Sequence, residues 1–507
     1  MQTSANISAT STLSFWKFVF REKTNRRLLL IASAATIAEF IVFKLCYPFP
    51  DFFSDSYSYL FAAYAHLDVS IWPIGYSKFL SFFHYLTYSS TALISFQYFL
   101  LEISALLFFF TYLYLFQPGK TVRILLYLFL FFNPLFLYLS NYINSDPIFA
   151  ALSLFWFTQL MWIIYHPKPY QIIVQAVLLF LCFTIRNNAY YYPLIAALAF
   201  FLSTQSWKLK VLGIILPFVF LVPFIIHTEN VAYKMTGARQ YSLFTGWQLA
   251  NNALYMRGHI QVDSTELPSK ETRILNNLAE KYFSHRAPEF DNYLSAYVAN
   301  YFLRQPNAPL KVFFSRYFHP KDDYSNVIAW GQASIIYGQY GSYLIKTHPF
   351  EFLRYYLLRN TKNYFIPPLE KLEIYNLGMD EVEPIAQYWF HFNTRTVSVV
   401  SKEAQGKLLS LYPLFFCFIN LMFLANLIWA FVNKLNPKSE HIYRCLLILV
   451  AGFWGINFAF STFATINVFR YQFFPLLVYY TFSLLAMEQI DKTELKIPYN
   501  KSYARQY

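Results

Sequence analysis

Apolar residues run through this chain in long blocks separated by short polar connections, and strand-like alternation is absent. Blocks of roughly 18 or more apolar residues are long enough to cross a bilayer as helices, which satisfy their own backbone hydrogen bonds in hydrocarbon. Such blocks fall at 28–46, 91–116, 124–140, 148–165, 211–226, 408–432, 442–460 and 471–487. Two shorter ones, 172–185 and 189–202, flank Arg186-Asn187-Asn188. The pattern predicts an all-α polytopic membrane protein with about ten transmembrane helices. An amphipathic piece at 74–87 is expected to lie in the interface. From 227 to 405 the chain is polar, mixed in charge and marked by helical patterns at 271–283 and 350–364, which predicts a mainly helical extracytoplasmic domain.

Charge orients these blocks. Lys17, Arg21, Lys23, Arg26 and Arg27 precede the first one, and Lys120 with Arg123, Lys208 with Lys210, and Lys434, Lys438 and Arg444 occupy alternate connections. The tail carries Lys492, Lys496, Lys501 and Arg505. Basic residues stay on the cytoplasmic side. The chain thus divides into a cytoplasmic N-terminus (1–27), an N-terminal transmembrane module whose outer loops hold the candidate residues (28–226), an extracytoplasmic domain (227–405), C-terminal transmembrane helices (406–487) and a cytoplasmic tail (488–507).

Composition agrees, with 57% hydrophobic and 13% charged residues and a mean hydropathy of +0.33. The net charge of +13 is spread over the loops that set topology and forms no basic patch interleaved with aromatics, so no nucleic-acid partner is expected. Cys46, Cys182, Cys417 and Cys445 fall within or at the ends of apolar blocks and imply no disulfide framework. The first residues lack a basic segment followed by a short apolar core and a small-residue cleavage site, so no cleaved signal peptide is expected. Protease, ATPase, serine-hydrolase and thiol-redox readings find no motif. No fixed-period repeat or matching halves favour an alternating-access transporter.

Topology assigns Asp51, Asp55, Asp146, Arg186 and Arg470 to one face of the membrane, although they are spread along most of the chain. Carboxylates and guanidinium groups at one mouth of a bundle can combine a general base with a clamp for phosphate oxygens. Each also has a plainer reading. Asp146 precedes Pro147 and could cap a helix; Arg470, Lys44 and Lys78 could reach lipid headgroups; Asp51 and Asp55 could be solvated loop acids. Glu102, mid-block, is either a hydrogen-bonded buried carboxyl or part of a proton path, and His319, Asp322 and Asp323 read as an acidic surface turn rather than a metal site.

Four stretches resemble the GT-C glycosyltransferases, membrane enzymes that use polyprenyl-phosphate sugars, including the protein O-mannosyltransferase and aminoarabinose transferase branches. DSYSYLFAAYAHL followed by PIGYSKFL is similar to their first outer loop, and FNPLFLYLSNYINSDPIFAAL to their third span, second outer turn and fourth span. TIRNNAYYYPLIAAL is similar to their Thr-x-Arg turn, and NVFRYQFFPLL to their Arg-Tyr-x-x-Pro start of a late span.

The resemblance implies inverting transfer of a sugar to an acceptor hydroxyl, with Asp55 as the catalytic acid position of the first loop and Asp146 as that of the second. It implies Arg186, Arg470 and Lys78 as donor-phosphate ligands, with Asp51, Tyr59 and Tyr471 as secondary residues. Branches of the family differ in metal use, and Asp55 with Asp146 are the pair that could hold a divalent ion such as Mg or Mn. The implied partners are a polyprenyl-phosphate-linked sugar, membrane lipids, and an acceptor glycan, lipid or protein. The expected location is a bacterial inner membrane with the active site facing the periplasm, in keeping with outer segments that hold no Asn-x-Ser/Thr acceptor. A multi-span transporter or lipid flippase, and a lipid-linked polysaccharide polymerase or ligase, are the alternatives.

Overall fold

The computed structural model describes residues 13–284, 300–432 and 441–494, with the backbone alone for 491–494. Lys434, Lys438, Lys496, Lys501 and Arg505, and the side chain of Lys492, lie outside the described residues. The described residues are helical and contain no strand, only isolated bridges between Asp51 and Tyr142 and between Glu381 and Thr396.

Eight helices among them are long and apolar enough to cross a membrane: Lys23–Cys46, Ser90–Phe116, Lys120–Ser140, Asp146–Tyr165, Trp207–Thr236, Ala404–Val432, His441–Ala464 and Phe469–Ile490. Helices Lys23–Cys46, Trp207–Thr236 and Tyr412–Val432 expose apolar side chains such as Ile41, Leu45, Val219, Val222, Phe418 and Leu421. In water that surface would be costly; in lipid it is matched, and the chain is an integral membrane protein. The two shorter blocks fold as helices Tyr170–Ile185 and Tyr192–Leu202, of 16 and 11 residues, joined by a 3-10 turn over Asn187–Tyr191.

Local sequence explains where these helices break. Arg186 is extended (φ −149°), and Pro193 in the first turn of the next helix has no N–H to continue the previous one. The third block splits at Asn133, whose side chain accepts from the Leu135 N–H at 3.0 Å and so caps a second helix, Pro134–Ser140. Helix Trp207–Thr236 runs past the expected end at 226, through polar residues, and stops at Gly237, whose φ of +82° closes it. The amphipathic piece is helix Gly75–Leu86, and a Cβ at Gly75 would lie 2.6 Å from the Thr184 carbonyl. It therefore packs directly beside the turn that carries Arg186.

Helices Asp146–Tyr165 and Phe469–Ile490 form the centre of the bundle, each largely buried inside the protein. Their starts carry Asp146 and Arg470. Beyond this end of the bundle lies a second core, built around Trp247, Leu254, Phe302, Tyr337, Tyr340 and Tyr356, which Ile466 and Val468 join from the last interhelical loop. The region read as one domain, 227–405, is thus divided: Leu369, Leu372, Tyr375, Val382 and Trp389 belong to the core of the bundle instead. The start of the region is the end of a bundle helix.

Candidate functional site

A cavity of about 390 Å³ lies where the two cores meet. Four cations line it or border it: Arg186, Arg304, Lys371 and Arg470. They face three carboxylates, Asp55, Asp146 and Glu370, so the cluster keeps a positive excess.

Asp55 occupies the first turn of helix Ser54–Tyr64, whose start is fixed by the Phe53 N–H donating to Ser56 Oγ at 3.2 Å. Its Oδ2 accepts from Lys371 Nζ at 3.0 Å and lies 3.6 Å from Arg470 Nη2. Burial would raise this carboxyl, but the charges of Lys371 and Arg470 outweigh it and hold Asp55 below the usual carboxylate range. Lys371 feels the same site from the other side. Burial pushes its ammonium down to about 7, with Asp55 opposing and Arg470 and Arg304 adding to the fall.

Arg470 is the hub. Its Nη1 donates to Asp146 Oδ2 at 3.1 Å, its Nη2 to the Tyr471 hydroxyl at 3.0 Å, and its Nε lies 3.5 Å from Glu370 Oε2. Arg186 pairs with the other oxygen of Asp146, and Arg304 with the other oxygen of Glu370. Both Arg186 and Arg470 sit over the Tyr471 ring, at 4.9 and 4.6 Å from its centroid. Tyr59 shares a hydrogen bond of 3.0 Å with Ser145, one residue before Asp146. The cavity lining also carries aromatic rings, Trp72, Phe244 and Trp330, and amides from Asn187, Asn188 and Gln248.

Of the residues expected from sequence, Asp55, Tyr59, Arg186, Arg470 and Tyr471 line this cavity. Asp146 stands behind them: it is 5% exposed, both oxygens are taken by guanidinium groups, and Ser145 rather than Asp146 occupies the cap position. Its geometry is that of a residue that positions two arginines, not of one that meets a substrate.

Two expected residues are elsewhere. Lys78 Nζ is 2.7 Å from Asp68, both half-exposed, and is not a lining residue; helix Gly75–Leu86 turns it away from Asp55. Asp51 does not shape an entrance either. It is buried, accepts from the Asn376 N–H at 2.8 Å, and its backbone bonds to Asn141 at 3.0 Å and Ile143 at 3.1 Å, tying three loops together.

The donor set does not fit a divalent cation. Asp55 and Asp146 are each neutralised by two basic side chains, and among the described residues no three His, Cys, Asp or Glu side chains are grouped to hold a metal. Asp322 is a helix cap, accepting from the Ser325 N–H at 2.7 Å, which agrees with a surface turn. Glu102 is buried within helix Ser90–Phe116 and takes no part in the cavity lining.

Sequence reasoning missed Lys371, Arg304 and Glu370. They belong to a polar region in which charges are expected to face water. One signal was present: Pro367-Pro368 lie one residue, Leu369, before Glu370-Lys371 and stiffen the approach. The Phe469 N–H donates to the Pro368 carbonyl at 2.9 Å, which docks this segment beside Arg470. Glu370 itself has φ +57°, an uncommon backbone state for a residue with a side chain.

Compared with known protein families, with curated proteins and with solved structures, the chain matches none.

Proposed function

We propose that the chain is a GT-C-like glycosyltransferase that moves a sugar from a polyprenyl-phosphate donor to an acceptor hydroxyl, with inversion. One observation carries the reading: an ionised carboxylate, Asp55, shares a cavity at the end of a membrane bundle with four cations that can receive a phosphate. A carboxylate held ionised can accept the acceptor's proton or orient its hydroxyl. Guanidinium groups fixed by Asp146 and Glu370 present N–H donors to the phosphate oxygens without reorganising. The aromatic rings and amides that complete the lining suit a sugar ring, which has apolar faces and hydroxyl edges.

In this reading the two shorter helices complete a bundle of about ten spans. The second core lies outside the cytoplasm, the membrane is a bacterial inner membrane, and the cavity opens to the periplasm. Asp55 is the base, Arg186, Arg304 and Arg470 hold the phosphate, and Asp146 positions Arg186 and Arg470. The acceptor is a glycan, lipid or protein.

Mass spectrometry of surface glycans and glycoproteins from cells with and without the gene tests the proposal. A sugar missing from one acceptor class is the expected result. An unchanged profile, together with purified protein that releases no polyprenyl phosphate from polyprenyl-phosphate sugars, contradicts it.

A further inference from the structure

We infer that Lys371 is a counter-ion that changes partner during the reaction, neutralising Asp55 while the donor is intact and the phosphate once it leaves. The inference rests on the glycosyltransferase reading.

The ion pairs distinguish Lys371 from the other cations. Arg186 and Arg470 are held by Asp146, and Arg304 by Glu370, carboxylates that have no part in proton transfer. Among the described residues Lys371 has the proposed base as its one carboxylate partner, at 3.0 Å, whereas Arg470, 3.6 Å from Asp55, is also held by Asp146 and Glu370. Its other neighbours are Arg470 and Arg304, which repel it, and the Phe53 ring, 4.0 Å from Nζ to the centroid. The adjacent Glu370 turns its carboxylate to Arg304 and Arg470 instead.

The charge balance of inverting transfer then sets what Lys371 must do. The acceptor oxygen forms its bond to the anomeric carbon and gives its proton to Asp55. The bond from that carbon to the phosphate oxygen breaks, and its electron pair stays on the oxygen. A phosphodiester with one negative charge becomes a phosphomonoester with two, while Asp55 loses its charge. Negative charge therefore moves from the partner of Lys371 to the leaving group.

A guanidinium locked by a second carboxylate cannot follow that movement. An ammonium on a flexible four-carbon stem can, and Lys371 already faces the cavity. Burial and the charges of Arg470 and Arg304 lower the Lys371 ammonium to about 7 even with Asp55 beside it, so on losing that anion it keeps its proton only if another takes its place.

The test uses the full-length protein in detergent and undecaprenyl phosphate as the probe, a polyprenyl phosphate of the class that leaves in this reading. Binding is measured for wild type, Lys371→Met and Lys371→Arg between about pH 7.5 and about pH 9, where a phosphomonoester, with a second pKa near 6, is already dianionic. Wild-type affinity should fall as pH rises, because binding then requires Lys371 to take up a proton. Lys371→Met should bind about ten- to a hundredfold more weakly, the worth of one charged hydrogen bond, and should lose the pH dependence. Lys371→Arg should restore affinity with a flat profile.

Wild-type affinity in a Lys371→Met protein that melts normally overturns the inference. If that variant does not fold, a wild-type pH slope in Lys371→Arg overturns it equally. Binding by wild type with no effect of either variant removes the Lys371 role alone. No binding by wild type removes the glycosyltransferase reading with it.

Discussion

About one helical turn of sequence separates Asp51 from Asp55, yet their surroundings demand opposite protonation states. Asp55 is held ionised by Lys371 and Arg470. Burial raises Asp51 well above the ordinary carboxylate value, and the Asn376 N–H that it accepts opposes this only in part. The folded state therefore binds a proton at Asp51 that the unfolded chain, with a value of about 3.9, gives up. Its contribution to stability is present below that unfolded value and is lost as pH rises toward the raised folded value. Asp51→Asn keeps the acceptor for Asn376 and removes the ionisation. Thermal unfolding of the two proteins from acid to neutral pH should show a decline in the wild type relative to the variant. Superimposable curves would exclude this state of Asp51.

Residues were legible in sequence where an ionisable group had no reason to be. Asp55, Asp146, Arg186 and Arg470 stand at the ends of apolar helices on the side that lacks topological lysines, and the fold brings them into mutual contact. Lys78 satisfied the same rule and is nevertheless paired with Asp68, because the direction of a side chain on an amphipathic helix depends on what the helix packs against. Lys371 and Glu370 gave no such signal, since folding alone carries them out of water, and Arg304, still partly exposed, gave none either.

Among elements, the pairing of helix Thr245–Arg257 with helix Asp323–Thr347 organises the second core. Glycines permit it: a Cβ on Gly246 would lie 1.7 Å from the Ser334 carbonyl, and one on Gly341 would lie 2.6 Å from the Ala250 nitrogen. Gly246→Ala should force the helices apart at a cost of about 1–3 kcal/mol or more, typical of overpacking. Phe244 and Gln248, which line the cavity, flank this contact. A lowered melting temperature in detergent is the expected readout, and an unchanged one would show that the helices part without cost.

Hydropathy located the eight long apolar helices, but it cannot see a helix that continues into polar sequence, as Trp207–Thr236 does. Nor can it see an outer segment that returns to the bundle. Helix Leu358–Phe365 does so through Asn360, whose Nδ2 donates to the Thr462 and Thr465 carbonyls at 2.7 Å each. That return packs residues 366–378 onto the bundle, with Leu369, Leu372 and Tyr375 in its core, and carries Lys371 to Asp55.

On the scale of the molecule, a bundle whose central helices begin at one end and a second core seated over that end enclose the cavity between them. If the second core lies outside the cell membrane, Thr265→Cys should react with a membrane-impermeant maleimide in intact cells. Lys168→Cys, in the connection after helix Asp146–Tyr165, should react only after permeabilisation. The native cysteines are buried or half-buried and should give little background. The reverse pattern would invert the topology.

Sugar transfer by purified Asp55→Asn from a polyprenyl-phosphate donor tests the central claim most directly. Asparagine keeps an acceptor for Lys371, and a lysine already lowered to about 7 can shed its proton, so the variant should express and melt as the wild type does. Wild type should transfer sugar, and Asp55→Asn should not. Turnover at the wild-type rate in that variant would contradict the claim.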